Sequence, residues 1–339
     1  MVVRALRERL PALRLTICAT LRRPVLAELF GEPFELVNEP PDPGGLVMTS
    51  PFDVDVEASA DAYAAFHANW DARVRHDAGA LAELAPDALL ADVPYLPIAA
   101  AALAGIPAFA LCSLNWADLY RHYCEHRPEA RRIHRQILSA YREADAFLIP
   151  EPGMPMPDLG NVRPIGPCAR LGRDRRDEIC RRLCLERGTR LVLVAMGGID
   201  WHFDLANWSV PAETHLIVYA AEVPALPGIS DFSQLGLPMI DVLRSSDAVV
   251  TKIGYGILTE AACNGTALLY VTRDDWPEAR YAYEWASPRM RAAPITRQQL
   301  EAGDFDAALE RLLAMPSPPP VMPTGGAEAA DILLGRLCE

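Results

Sequence analysis

Hydrophobic positions switch repeatedly between a period near 3.6 and a short alternating or continuous run, which is how helices and strands announce themselves in turn. Val2, Val3, Leu6 and Leu10 share one helical face, with Arg4, Arg7, Glu8 and Arg9 opposite. Leu13–Ala19 reads as a short strand, Pro24–Phe30 as a short helix and Phe34–Asn38 as a strand. Residues 40–55, rich in Pro, Gly and Asp, read as loop. Ser59–Leu84 reads as one long amphipathic helix with Tyr63, Phe66, Trp70 and Val74 on one side. A strand (Ala88–Ala91), a helix (Leu96–Ala104), a strand (Ala108–Cys112), a helix (Arg127–Ala144) and a strand (Ala146–Ile149) follow.

Six prolines between Pro150 and Pro167 mark a linker. The alternation then restarts. The pattern predicts a helix over Arg173–Glu186, a strand over Arg190–Ala195, a Gly197–Gly198 turn, a strand over Thr214–Tyr219 and a helix near Pro238–Ser245. A strand at Asp247–Val250, a helix from Leu258 to Asn264 and a strand over Ala267–Val271 complete the run. After a proline break at 316–320 comes a last helix, Gly326–Leu337. Alternating β and α elements in both halves predict two doubly wound, mostly parallel sheets covered by helices. The expected boundaries are 1–165 for an N-terminal Rossmann-like domain and 166–320 for a C-terminal one. A terminal helix over 321–339 is expected to pack back on the first.

Composition narrows the class. A chain of 339 residues, 51% hydrophobic and 23% charged, fits two globular domains. A net charge of −13 argues against non-specific nucleic-acid binding. The apolar run from Ala88 to Cys112 is interrupted by Asp92, Pro94, Pro97, Gly105 and Pro107, so no membrane span is expected. The eight cysteines are scattered. Cys180 and Cys184 are placed on one helix face, but no second His/Cys pair has zinc spacing. Plain thiols, no metal and a cytoplasmic location are the expectations. None of the seven histidines, His67, His122, His126 and His134 among them, stands out as catalytic.

The most informative segment is Thr251–Glu260. It joins a strand to a helix through Gly254–Tyr255–Gly256. A helix N-terminus after a strand offers backbone N–H groups and the positive end of the dipole to an anion. Gly254 and Gly256 remove the Cβ atoms that would block close approach. Glu260, about one turn in, is placed to accept hydrogen bonds from a ribose. Gly197–Gly198 either joins it in holding a diphosphate or simply permits a tight turn. In Arg273–Asp274–Asp275–Trp276–Pro277–Glu278, carboxylates just past a strand end are placed for sugar hydroxyls or are solvated loop. Asp92, after the strand 88–91, is either a helix N-cap near Pro94 or an acceptor-side carboxylate. Asn115 and Trp116 follow the next strand and are candidates for the acceptor side. Strand ends of two such domains would line a cleft.

With these residues in place, the chain resembles glycosyltransferases of the two-Rossmann-domain GT-B type. It is more similar still to the glycosyltransferase-like N-terminal domain of plant arabinokinases and its free-standing bacterial relatives. Ser113–Leu114–Asn115–Trp116 with Asp118–Leu119–Tyr120, then Pro155–Met156–Pro157, then Lys252–Gly256 through Arg273–Asp274 carry the resemblance. It implies donor phosphate contacts from Lys252, Gly254, Tyr255 and Gly256, a ribose contact from Glu260, and Asp275 or Glu278 near the donor sugar. It implies a metal-independent transfer from a nucleotide-diphosphate sugar to an unidentified acceptor, with no other cofactor; a homodimer is compatible with it. The alternatives are a nucleotide-sugar-binding protein without turnover and a nucleotide-sugar epimerase on the same fold. The related families begin with a strand and a Gly/His-rich loop that supplies a catalytic base in several relatives. No residue here matches either, which points to an upstream start or a trimmed chain. Losing that strand is expected to leave two strand edges in the first sheet unpaired. Asp92 is then the one weak candidate for a base.

Overall fold

The computed structural model describes residues 1–39, 42–43, 45–198, 202–211, 213–273 and 275–338. The chain divides into two compact units. The first holds Met1–Val47, Val54–Pro167 and Thr324–Glu339; the second holds Met48–Asp53 and Cys168–Pro323.

The first unit opens with α1 (Val2–Arg9), β1 (Thr16–Cys18), α2 (Arg23–Phe30) and β2 (Glu35–Val37). The expected single helix over 59–84 is two: α3 (Val56–His67), capped by Asp55 at the Ala58 N–H, and α4 (Trp70–Leu84). The break comes at Asn69, whose φ of −118° and ψ of 34° leave the helical region. Across it His67 stacks on Trp70 at 5.0 Å. Then follow β3 (Leu89–Ala91), α5 (Leu96–Ala104), β4 (Ala108–Leu111), α6 (Trp116–Cys124), α7 (Ala130–Arg142), β5 (Ala146–Pro150) and β6 (Val162–Ile165). Neither α6 nor β6 was expected. β6 runs through the presumed linker as the edge strand of a parallel sheet ordered β3-β4-β5-β6. Pro164 is tolerated there because an edge strand can spare one N–H. β1 and β2 form a separate two-stranded parallel sheet. Among the described residues, nothing pairs with the second edge of β1 or of β3. The C-terminal helix, Gly325–Leu337, belongs to this unit. It is held by Arg9–Asp331 at 2.9 Å, Arg336–Asp145 at 2.8 Å, and Glu328 accepting from the Gly166 N–H at 2.9 Å.

The second unit contains α8 (Arg176–Arg182), β7 (Arg190–Ala195), β8 (Thr214–Tyr219), β9 (Ile229–Asp231), α9 (Met239–Ser245), β10 (Ala248–Lys252), α10 (Tyr255–Asn264), β11 (Ala267–Val271), α11 (Ala279–Ala286), β12 (Ala292–Ile295), α12 (Arg297–Ala302) and α13 (Asp306–Ala314), and the C-terminal helix becomes α14. α8 ends before Cys184, which sits at a φ of 53°, so Cys180 and Cys184 do not share a helix face. All six strands are parallel, in the order β12-β11-β10-β7-β8-β9. Both faces are covered. Val192, Val194, Ala248 and Val250 enter one apolar core, and Leu191, Leu193 and Val249 enter the other. That is why these strands read as continuous apolar runs rather than alternating ones. Residues 48–53 dock here too: Phe52 joins the first of these cores, and both Asp53 carboxylate oxygens accept from Arg297, at 3.0 and 2.9 Å.

Candidate nucleotide site in the second unit

Renumbered within the unit, the sheet order is 3-2-1-4-5-6. The winding reverses between β7 and β10, and ligands of open α/β sheets bind outside the strand ends at such a reversal. Two segments singled out in the sequence lie there. Gly197–Gly198 follows β7, and Lys252 ends β10 just before α10.

The glycines differ in what the backbone asks of them. Gly197 has a φ of 87°, a conformation that favours glycine whatever lies nearby. The tight-turn reading therefore accounts for it. Gly254 is extended, at φ −170°, and Gly256 is helical. A Cβ built on either meets no protein atom within 4 Å. The fold does not require glycine at these two positions; what glycine does there is keep the space in front of α10 open.

No described side chain caps α10, and its first turn holds no acidic residue. The helix's own first turn therefore sets no carboxylate against an anion there. α10 begins at Tyr255, a turn earlier than the apolar pattern suggested, so Glu260 lies deeper, with its side chain 14% exposed. Its Oε1 accepts from Arg170 Nε at 2.7 Å. The 168–172 segment that presents Arg170 is clamped along the helix. Thr259 Oγ1 donates to the Cys168 carbonyl, Asn264 Nδ2 donates to the Arg170 carbonyl, and Asn264 Oδ1 accepts from the Gly172 N–H. Gly172 is obligatory, since a Cβ there would sit 2.2 Å from the Ile240 carbonyl oxygen.

Three charged side chains meet at the ends of β10 and β11: Lys252, partly buried, and Arg273 and Glu278, both buried. Arg273 is 4% exposed, stacks over Trp276 at 3.9 Å, and donates from Nη2 to the Phe52 carbonyl at 3.4 Å. Glu278, at the N-terminal end of α11, is 6% exposed. Its Oε2 is shut from solvent with no hydrogen-bond partner. Desolvation pushes its carboxyl up to about 7, against the pull of Trp276, Arg273 and Lys252. Lys252 is held below its ordinary value by desolvation and by Arg273, with Glu278 opposing. Asp275 is exposed, and Asp274 lies outside the described residues. Sequence reasoning missed Arg170 and the burial of Arg273. The first pairs with Glu260 across 90 residues, so no local pattern could disclose it.

The first unit's candidates fare differently. Asn115 is fully buried and caps α6: its Oδ1 accepts from the Asp118 N–H at 2.9 Å and its Nδ2 donates to Asp118 Oδ2 at 2.8 Å. Its amide is spent on the helix start, which leaves little of it for an acceptor. The Asn115-x-x-Asp118 pattern was the signal that could have revealed α6. Trp116 is partly buried, with its ring against Gly45. Asp92 does not cap α5, whose N-cap position is Tyr95 with no side-chain cap. The Asp92 side chain is solvent-accessible at the end of β3, and desolvation by its surroundings raises its carboxyl against the pull of the Met1 amino group.

Comparison with known proteins agrees with this architecture. No family model matches the chain. The L-arabinokinase of Arabidopsis thaliana is 28% identical over 261 residues, covering 74% of this chain but only 25% of that protein. The glycosyltransferase of kitacinnamycin superposes with a TM-score of 0.67 at 18% identity, covering 99% of this chain and 94% of the other. The calicheamicin glycosyltransferase CalG4 gives 0.66 at 17% identity, with the same coverage. Arabidopsis thaliana UGT89C1 complexed with UDP gives 0.58 at 16% identity, covering 99% and 95%. Along nearly its whole length, this chain has the fold of the GT-B glycosyltransferases.

Proposed function

We propose that the second unit binds a nucleoside-diphosphate sugar and that the protein transfers the glycosyl group to an acceptor hydroxyl. The observation that carries this reading is the uncapped N-terminus of α10 at the reversal of the strand order, with Lys252 beside it and two glycines that the fold itself does not require. Backbone N–H groups and an ammonium at that point would offset charge developing on a leaving diphosphate. Glu260 would accept from the ribose. Buried Glu278 has an unpartnered oxygen suited to a sugar hydroxyl, with exposed Asp275 as the other acidic candidate in that loop. A solved protein of this fold has been described in complex with UDP, which supports a diphosphate ligand. Asp92, with its raised carboxyl, is the candidate base for the acceptor hydroxyl.

Calorimetric titration with UDP, GDP, dTDP and their sugars tests the binding step. Saturable binding of at least one is expected; binding of none overturns the reading. A second reading, a nucleotide-sugar binder without turnover, draws on the divided sheet of the first unit and on the engagement of Asn115 in a cap. Slow hydrolysis of the bound donor, abolished in Asp92→Asn, would favour transfer. Tight binding with no donor turnover under any condition would favour the second reading.

A further inference from the structure

Away from that site, the first unit gathers three side chains that are well separated in sequence. Asp118 stands in the first turn of α6, fixed by Asn115. His134 lies on α7. Asp158 lies between β5 and β6, where its carbonyl accepts from Arg142 Nε and Nη2 at 3.1 and 2.8 Å. One donor atom from each falls within 4.8 Å of the others. His134 Nε2 is closed off from solvent and bonds to nothing. A His–Asp pair built only for structure would bring a ring nitrogen to hydrogen-bond distance of a carboxylate, and that bond is not made here.

We propose that Asp118, His134 and Asp158 form a binding site for a divalent transition-metal ion of the zinc class. One imidazole and two carboxylates are a ligand set that zinc accepts, with water completing the shell. Bonds of about 2.0–2.2 Å require the side chains to close by roughly 1 Å. Asp158 is exposed enough to move. Arg121 now neutralises the carboxylates, at 3.1 Å from Asp118 and 3.5 Å from Asp158. Its side chain is 48% exposed, so it can swing into solvent when an ion arrives. The ion would tie the segment between β5 and β6 to α6 and α7.

The test is calorimetric titration of the reduced full-length chain with Zn2+, together with visible spectra in Co2+. One equivalent is expected, with ligand-field bands and no thiolate charge-transfer band. Affinity should fall by about 10-fold or more in His134→Ala and in Asp158→Asn, and rise in Arg121→Ala. Asp158→Asn alters an exposed side chain, so it keeps the test valid if His134→Ala folds poorly. Absence of saturable binding, a thiolate band, or unchanged affinity in Asp158→Asn would each overturn the site.

Discussion

Arg170 Nε donates to Glu260 Oε1 at 2.7 Å, linking the first residues of the second unit to the helix whose N-terminus forms the candidate phosphate site. The pair orients the Glu260 carboxylate where a ribose diol is proposed to bind. A charged hydrogen bond of this kind is worth about 1.5–3 kcal/mol when its partner is removed, or roughly 10- to 100-fold in affinity. Glu260→Ala should therefore weaken the nucleoside diphosphate that binds by about 10-fold or more. The 2′,3′-dideoxy form of that ligand should bind wild type with the same loss, and Glu260→Ala should weaken it no further. Additive losses in this cycle would remove Glu260 from the ribose.

Gly256 separates a ligand-imposed glycine from a fold-imposed one. It is exposed, helical and free of protein atoms within 4 Å of a built Cβ. Gly256→Ala should raise thermal stability slightly, by up to about 0.5–1 kcal/mol, because alanine loses less backbone freedom in a helix. The same methyl group would intrude where a phosphate is proposed to approach, so diphosphate affinity should drop. A variant both more stable and unimpaired in binding would disprove the phosphate assignment.

Much of this was legible in the sequence, and what was not has physical causes. The six-stranded sheet was readable because strands buried on both faces become runs such as Leu191–Ala195 and Ala267–Val271, flanked by turn residues. β6 was hidden because Pro164 and Arg163 look like linker, and only an edge position tolerates them. The joint at Asn69 was hidden because the apolar face of α3 continues in phase into α4. The candidate site was half legible. A glycine-bearing helix start is a local pattern, but Arg170 with Glu260, and Glu278 beside Lys252 and Arg273, are meetings that only the fold creates.

Glu278 makes the second unit's stability depend on pH. Its folded pKa, about 7, lies above the ordinary 4.5, so between these values the folded state holds more protons than the unfolded state. Its contribution is full below pH 4.5 and is lost as pH rises through 7, by an amount on the order of 3 kcal/mol. Glu278→Gln cannot ionise and should lack this slope. Urea melts of both proteins at pH 5 and pH 8 should show wild type losing ground to the variant at pH 8. Parallel behaviour would show that Glu278 is ionised throughout.

His67 drives the opposite trend in the first unit. It is 1% exposed, bonded to Gln136 at 3.1 Å and to the Tyr95 hydroxyl at 2.9 Å, and stacked between aromatic rings. Desolvation lowers its pKa from 6.5 to about 4, with the Gln136 bond opposing. The unfolded chain therefore binds the extra proton between these values. The contribution is whole above pH 6.5 and is lost as pH falls through 4, by roughly 3 kcal/mol at most. Nitrogen-detected NMR should find this imidazole neutral at pH 5. His67→Gln should flatten the acid limb of the stability profile. An imidazolium signal from His67 at pH 5.5 would refute the assignment.

The divided sheet of the first unit predicts where backbone protection fails. On β3, the Leu89 N–H donates to the Pro107 carbonyl at 2.9 Å. Backbone groups alternate sides along a strand, so the Leu90 N–H points to the opposite edge, where no described strand pairs with it. On β1, the Ala19 N–H reaches the Val37 carbonyl at 3.1 Å, so the Cys18 N–H likewise faces the open side. β4 is paired on both sides and lends the contrast. Native-state hydrogen exchange should show the Leu90 and Cys18 amides exchanging orders of magnitude faster than those of Phe109 and Ala110, which open only with larger units of the fold. Equal protection at Leu90 and Ala110 would mean that the edge of β3 is covered in solution, and the two-sheet description of this unit would have to be abandoned.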